Sequence, residues 1–154
     1  MRDLAKLRTL TGAERRLLVV SCAATPLVAG AVSLLGFRRA HAVMARWSRP
    51  VRTPFPAGEA AWARALSAAR VVSIATGRGP VRASCLRRSL LLWWLLRREG
   101  IETSLRVGVN RDGGSLSAHA WVEYLGRPIN DVEDIAARFP AFEQDFGAVA
   151  ERAS

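Results

Sequence analysis

Three residue types capable of nucleophilic catalysis follow one another along the chain: Cys85, His119 and Asp131. A free thiol is only slightly ionised at neutral pH; an imidazole beside it takes the proton, and a carboxylate fixes the imidazole's tautomer and orientation. Such a set attacks a carbonyl and passes through a thioester. Cys85 follows Ser84, a good N-cap residue, and opens the run CLRRSLLLWWLLRREG. Residues 90–96 of that run are apolar on every side, and Gly100 stands where a left-handed C-cap belongs. This predicts a helix buried on several sides, with Arg97 and Arg98 at the negative end of its dipole. Cys85 falls at the opposite end, where unpaired backbone N–H groups favour a thiolate and offer an oxyanion donor.

The other two residues lie in a region of strand pattern. Leu105, Val107 and Val109 alternate on one face, Arg111–Ser115 is a hairpin turn signal, and SAHAWVEY is the returning strand. His119, Trp121 and Glu123 share one face of that strand, and Ala118, Ala120, Val122 and Tyr124 the other. A second turn at 125–128 leads into a short extended piece, Pro128–Asp131, and neighbouring antiparallel strands would set His119 and Asp131 side by side. Each residue also has a plainer reading: Cys85 as a packed thiol, His119 as a half-buried strand residue, Asp131 as the cap of a helix starting near Val132. Asn130 and Asp134 compete for the orienting role. Trp121, on the face of His119, is a candidate wall for substrate. Arg82, Arg87 and Arg88 flank the nucleophile, either as solvated charges or as anchors for the thiolate and an acidic substrate segment; Arg82 and Arg88 join Trp121 as substrate-binding candidates.

Composition narrows the alternatives. The 154 residues suffice for one domain with a sizeable core, and half are apolar. The net charge of +10 divides unevenly, with +8 on residues 1–52, +6 on 53–100 and −4 on 101–154. No zinc finger or aromatic-rich RNA-binding strand accompanies the basic charge, so a nucleic-acid partner is not expected. Two cysteines do not make a disulfide scaffold; Cys22, in an apolar run, is expected to be a buried, inert thiol. Cys22, Cys85, His41 and His119 lie too far apart for zinc-ligand spacing, so no metal is expected.

Thr11–Glu14 matches a capping box and predicts a helix from about Gly12. Residues 17–37 carry no charge and are long enough to span a bilayer, but six polar or helix-weakening residues dilute the run. The reading preferred is one or two core helices broken near Pro26, with peripheral membrane contact through residues 17–37 as the alternative. The long polar leader, which includes acids, argues against a signal sequence, and a cytoplasmic location is expected. Pro50, Pro54 and Pro56 mark residues 41–58 as a break. This divides the chain into a helical, apolar and basic region, 1–56, and a core, 57–154. A helix is predicted over 59–76 and one or two short helices in the tail, broken at Pro140. The fold class is α+β, a buried Cys-bearing helix on a small antiparallel sheet.

The run CLRRSLLLWWLLRREGI, then HAWVE, then Gly-Arg-Pro-Ile-Asn-Asp, resembles the transglutaminase-like cysteine peptidases of lasso-peptide maturation, over about residues 80–140. It is similar to the stand-alone protease half of the split B leader peptidase and to the C-terminal part of the microcin-processing B protein. Cys85, His119 and Asp131 fall on that family's Cys, His and Asp positions. The resemblance implies a papain/transglutaminase-like core, a Cys-His-Asp triad without metal or other cofactor, and removal of a leader from a ribosomally made precursor peptide. It also implies partners: the precursor peptide, a separate leader-recognition protein, and an ATP-using lasso cyclase. No Walker-type phosphate loop occurs in the chain, so any nucleotide requirement would belong to the cyclase. Two rival readings stand beside it: an acyltransferase with the same triad, in which an amine takes the place of water, and a non-enzymatic basic membrane or scaffold module built on residues 17–52.

Overall fold

A computed structural model describes residues 10–48, 55–78, 83–112 and 115–141. Helix α1 spans Gly12–Leu35 and starts with the full capping box: Glu14 N–H donates to Thr11 Oγ1 at 3.3 Å, and Thr11 N–H to Glu14 Oε2 at 2.9 Å. The helix runs through Pro26 without breaking. Proline removes one N–H and leaves one carbonyl, that of Cys22, without its usual donor. Cys22 is exposed, so water reaches that position, and Thr25 Oγ1 donates to the neighbouring Ser21 carbonyl at 2.7 Å. The break comes at Gly36, whose φ of 75° is the left-handed conformation glycine tolerates. Helix α2, Phe37–Trp47, follows at once, so residues 41–47 are helical rather than part of the expected break.

Helix α3 spans Glu59–Arg78 and α4 spans Cys85–Arg98. Alanines on α3 (Ala61, Ala65, Ala68) are almost completely buried and let other backbones approach closely. Helix α4 is the centre of the molecule: Leu90, Leu91, Leu92, Leu96 and Trp93 are essentially inaccessible. Each such side chain contributes roughly 1.5–3 kcal/mol relative to exposure. They pack on Leu17 and Val28 of α1, Val71 and Val72 of α3, and Leu105, Val122 and Ile129 from the sheet region. The C-terminus of α4 closes in a Schellman motif, with Gly100 at φ 78°, Gly100 N–H bonded to the Arg97 carbonyl and Ile101 N–H to the Leu96 carbonyl. A bidentate Arg64–Glu99 pair, 2.7 and 2.6 Å, fastens this end to α3.

The sheet has the order β1-β2-β3, all antiparallel, from β1 (Ser104–Asp112), β2 (Ser115–Tyr124) and β3 (Arg127–Pro128). The expected extended piece at 128–131 is shorter than its pattern suggests: only Arg127 and Pro128 join the ladder, and Asn130 and Asp131 lie in a bend. A single helical turn, α5 (Ile135–Arg138), follows, and Ala141 forms a bridge to Gly108 on β1. The architecture is α+β, with α4 packed on a small antiparallel sheet and a helical N-terminal region.

Candidate active site

Cys85 is the first residue of α4 and is half-buried. Ser84 caps the helix, its hydroxyl accepting from Arg87 N–H at 3.5 Å. The N–H groups at this end lack intrahelical acceptors, which makes the position favourable for negative charge on sulfur or on a carbonyl oxygen nearby.

His119 sits on β2 opposite Gly108, and its Nε2 lies 2.6 Å from Asp131 Oδ2. The two side chains are 25% and 23% exposed, so the pair is shielded yet still reachable from solvent. Asp131 is held by its second oxygen, Oδ1, which accepts from Val132 N–H at 2.9 Å. With Nε2 committed to the carboxylate, Nδ1 is the ring nitrogen left for proton exchange. The imidazole is steadied by two aromatic rings: Phe139, 5.2 Å between centroids, and Trp121, 6.4 Å and nearly parallel.

Trp121 shares the face of His119 but is completely buried. Its indole N–H donates to Glu123 Oε1 at 2.8 Å, and Glu123 Oε2 accepts from Arg106 at 3.1 Å. The ring therefore supports the imidazole from within and presents no surface to a substrate, which corrects its expected role as a substrate wall. Arg88 is half-buried, and its Nε is shielded from water without a hydrogen-bond partner. Arg87, in the first turn of α4, is engaged by α1, donating to Ser33 Oγ at 2.9 Å. Arg82 lies outside the described residues.

Helix, strand and bend are joined by a short polar relay. Ser89 Oγ donates to the Ala120 carbonyl at 2.9 Å, Asn130 Nδ2 donates to Ser89 Oγ at 2.9 Å, and Val122 N–H donates to Asn130 Oδ1 at 2.8 Å. Ser89 is fully buried and lies one turn after Cys85 on the same side of α4. The helix tip is thus anchored about 6 Å along the axis from a bond to the residue next to His119. Asn130 has both side-chain heteroatoms engaged here, so it ties the bend in place and does not orient the imidazole. Asp134 precedes α5 without a capping bond from its side chain.

Two further residues shape the site. A Cβ at Gly108 would meet the Phe139 carbonyl oxygen at 2.5 Å, so only glycine lets the 139–141 segment cross β1 opposite His119. Phe139 uses that approach to reach the imidazole. A glycine within a strand is a sequence mark of a close backbone approach, and Gly108 is such a mark that the strand pattern alone did not single out; Ser89 and Phe139 carry none. Among the described residues no three His, Cys, Asp or Glu side chains are grouped as metal ligands would be.

Residues 31–142 match the family model described as the transglutaminase-like superfamily. No curated protein and no solved structure matches the chain.

Proposed function

The chain belongs to the transglutaminase-like superfamily, whose chemistry is in general that of cysteine peptidases and acyltransferases, and on that premise we propose that it is a cysteine endopeptidase with Cys85 as nucleophile, His119 as base and acid, and Asp131 as the group that orients His119. The observation that carries this reading is the His119–Asp131 bond at 2.6 Å through Nε2, beside a strand to which the helix of Cys85 is locked by Ser89. In the proposed cycle the Cys85 thiol passes its proton to His119 and the sulfur attacks the scissile carbonyl. The N–H of Cys85 supports the oxyanion. His119 returns the proton to the departing amine as the C–N bond breaks, leaving a thioester on Cys85. Water, deprotonated by His119, then attacks the thioester; a carboxylic acid leaves and the thiol is restored.

The substrate we propose is a lasso-peptide precursor, cut between leader and core in the cytoplasm, with a separate leader-recognition protein presenting it and a lasso cyclase taking the product. The sequence resemblance supports this finer reading. The test is mass spectrometry of precursor treated with the purified chain and the recognition protein. Release of leader with a free C-terminal carboxylate, lost in Cys85→Ala, is the expected result. A leader carrying an amide to an added amine would identify an acyltransferase, and leader release by Cys85→Ala would remove Cys85 from the mechanism.

A further inference from the structure

We propose that the outer faces of α1 and α2 form a docking surface for an anionic phospholipid bilayer, holding the Cys85 end of α4 close to the membrane. Helix α1 is long and apolar enough to cross a membrane by length and composition, but its inner face is committed to the fold. Leu17, Ser21, Ala24, Thr25, Val28 and Ala29 are buried. Glu14, at its first turn, bonds to Ser67 and Arg70 of α3. A helix clamped in this way cannot span without carrying α3 with it; it can only lie on a surface.

The outer face is where a helix of a water-soluble domain places polar residues. Here Val19 is 69% exposed, Leu27 73% and Leu34 86%, with Ala23 and Pro26 between them. These positions recur at helical spacing and make one stripe about 22 Å long. No charged residue interrupts it. Arg15 and Arg16 precede the stripe, Arg38 and Arg39 follow it, and α2 adds exposed Arg46 beside Trp47, itself 79% exposed. All five arginines are exposed, and among the described residues none makes an ion pair. The one acid among described residues 10–48 is Glu14, which is buried and engaged. An apolar stripe with cations at both ends suits a helix lying in the plane of anionic headgroups. The stripe also ends near the site: Ser33, next to Leu34, accepts the bond from Arg87 in the first turn of α4.

The experiment is flotation of the purified full-length chain with vesicles of phosphatidylcholine alone and of equimolar phosphatidylcholine and phosphatidylglycerol. The chain is expected to float with the anionic vesicles only, and less at high salt. The doubly substituted Leu27→Glu, Leu34→Glu chain should lose about tenfold or more of its binding; both residues are exposed, so circular dichroism should stay unchanged. A second variant, Arg15→Gln with Arg16→Gln, Arg38→Gln and Arg39→Gln, should lose a similar factor. Absence of flotation, equal flotation with neutral vesicles, or flotation indifferent to both variants would overturn the proposal. So would a dimer in analytical ultracentrifugation that the leucine variant dissociates, since a second copy would then cover the face. None of these outcomes depends on peptidase activity.

Discussion

Cys22 stands in the middle of α1 and is exposed, whereas Cys85 stands at the first residue of α4 and is half-buried. The expected burial of Cys22 is therefore wrong: the apolar run around it has two faces, and the cysteine is on the one that nothing in the described fold covers. Accessibility alone would pick Cys22 as the reactive thiol. Its surroundings argue otherwise, because mid-helix amides are spent on intrahelical bonds and its neighbours on that face are apolar. At Cys85 the amides of Cys85 and Leu86 have no acceptor within the helix, and the helix is pinned to the strand that carries His119. The contrast teaches that what surrounds a sulfur, more than its exposure, decides which thiol can do chemistry.

The strongest way to break this contrast is to remove each sulfur in turn. Cys85→Ala is expected to lower the rate of the proposed leader cleavage on the order of 10⁴-fold or more, while Cys22→Ala leaves it unchanged, measured by mass spectrometry of the products. Next in size, Asp131→Asn should cost on the order of 10²–10⁴-fold in rate without unfolding the chain, since Asp131 lies at the surface of the bend and its loss disturbs the imidazole's tautomer rather than the core. A retained rate would mean that His119 needs no orienting carboxylate.

Two changes sharpen the comparison from the structural side. Gly108→Ala should destabilise the chain by about 1–3 kcal/mol in thermal or denaturant unfolding, because the new methyl must displace the Phe139 backbone. It should also slow turnover, since Phe139 then leaves the imidazole. Glu14→Gln acts on the other half, loosening α1 without touching α4, and should cost about 2 kcal/mol. The carboxyl of Glu14 is lowered from 4.5 to about 2, first by the Ser67 hydroxyl and then by the Thr11 backbone amide, with Arg70 adding to it. Its contribution is complete above pH 4.5 and is lost as pH falls toward 2, so acid unfolding of the wild type should steepen across that range and the Gln variant should lack that component.

Features set by neighbours in sequence were legible; features set by distant partners were not. The Thr11–Glu14 capping box, the Ser84 cap, the Gly100 closure and the burial of residues 90–96 on several sides depend on spacing alone, and each is present, with Trp94 alone of that run half-buried. The shared face of His119 and Trp121 followed from strand alternation, but whether that face met substrate depended on Phe139, Glu123 and Arg106. The break placed at Pro26 fell instead at Gly36, because packing of the inner face of α1 outweighs one lost hydrogen bond. The Ser89–Asn130 relay links residues far apart in the chain through side-chain geometry, and no local pattern announces it. The same holds for Asp131, which reaches His119 from a bend rather than from the paired strand that its position suggested.

The central claim is that Cys85 works with His119, and the most direct test is the rate of alkylation of each cysteine by iodoacetamide as a function of pH, in the wild type and in His119→Ala. The account predicts that Cys85 is alkylated about tenfold or more faster than Cys22 at neutral pH, and that His119→Ala removes most of the difference. Rates for Cys85 and Cys22 that rise together with pH in the wild type would contradict it.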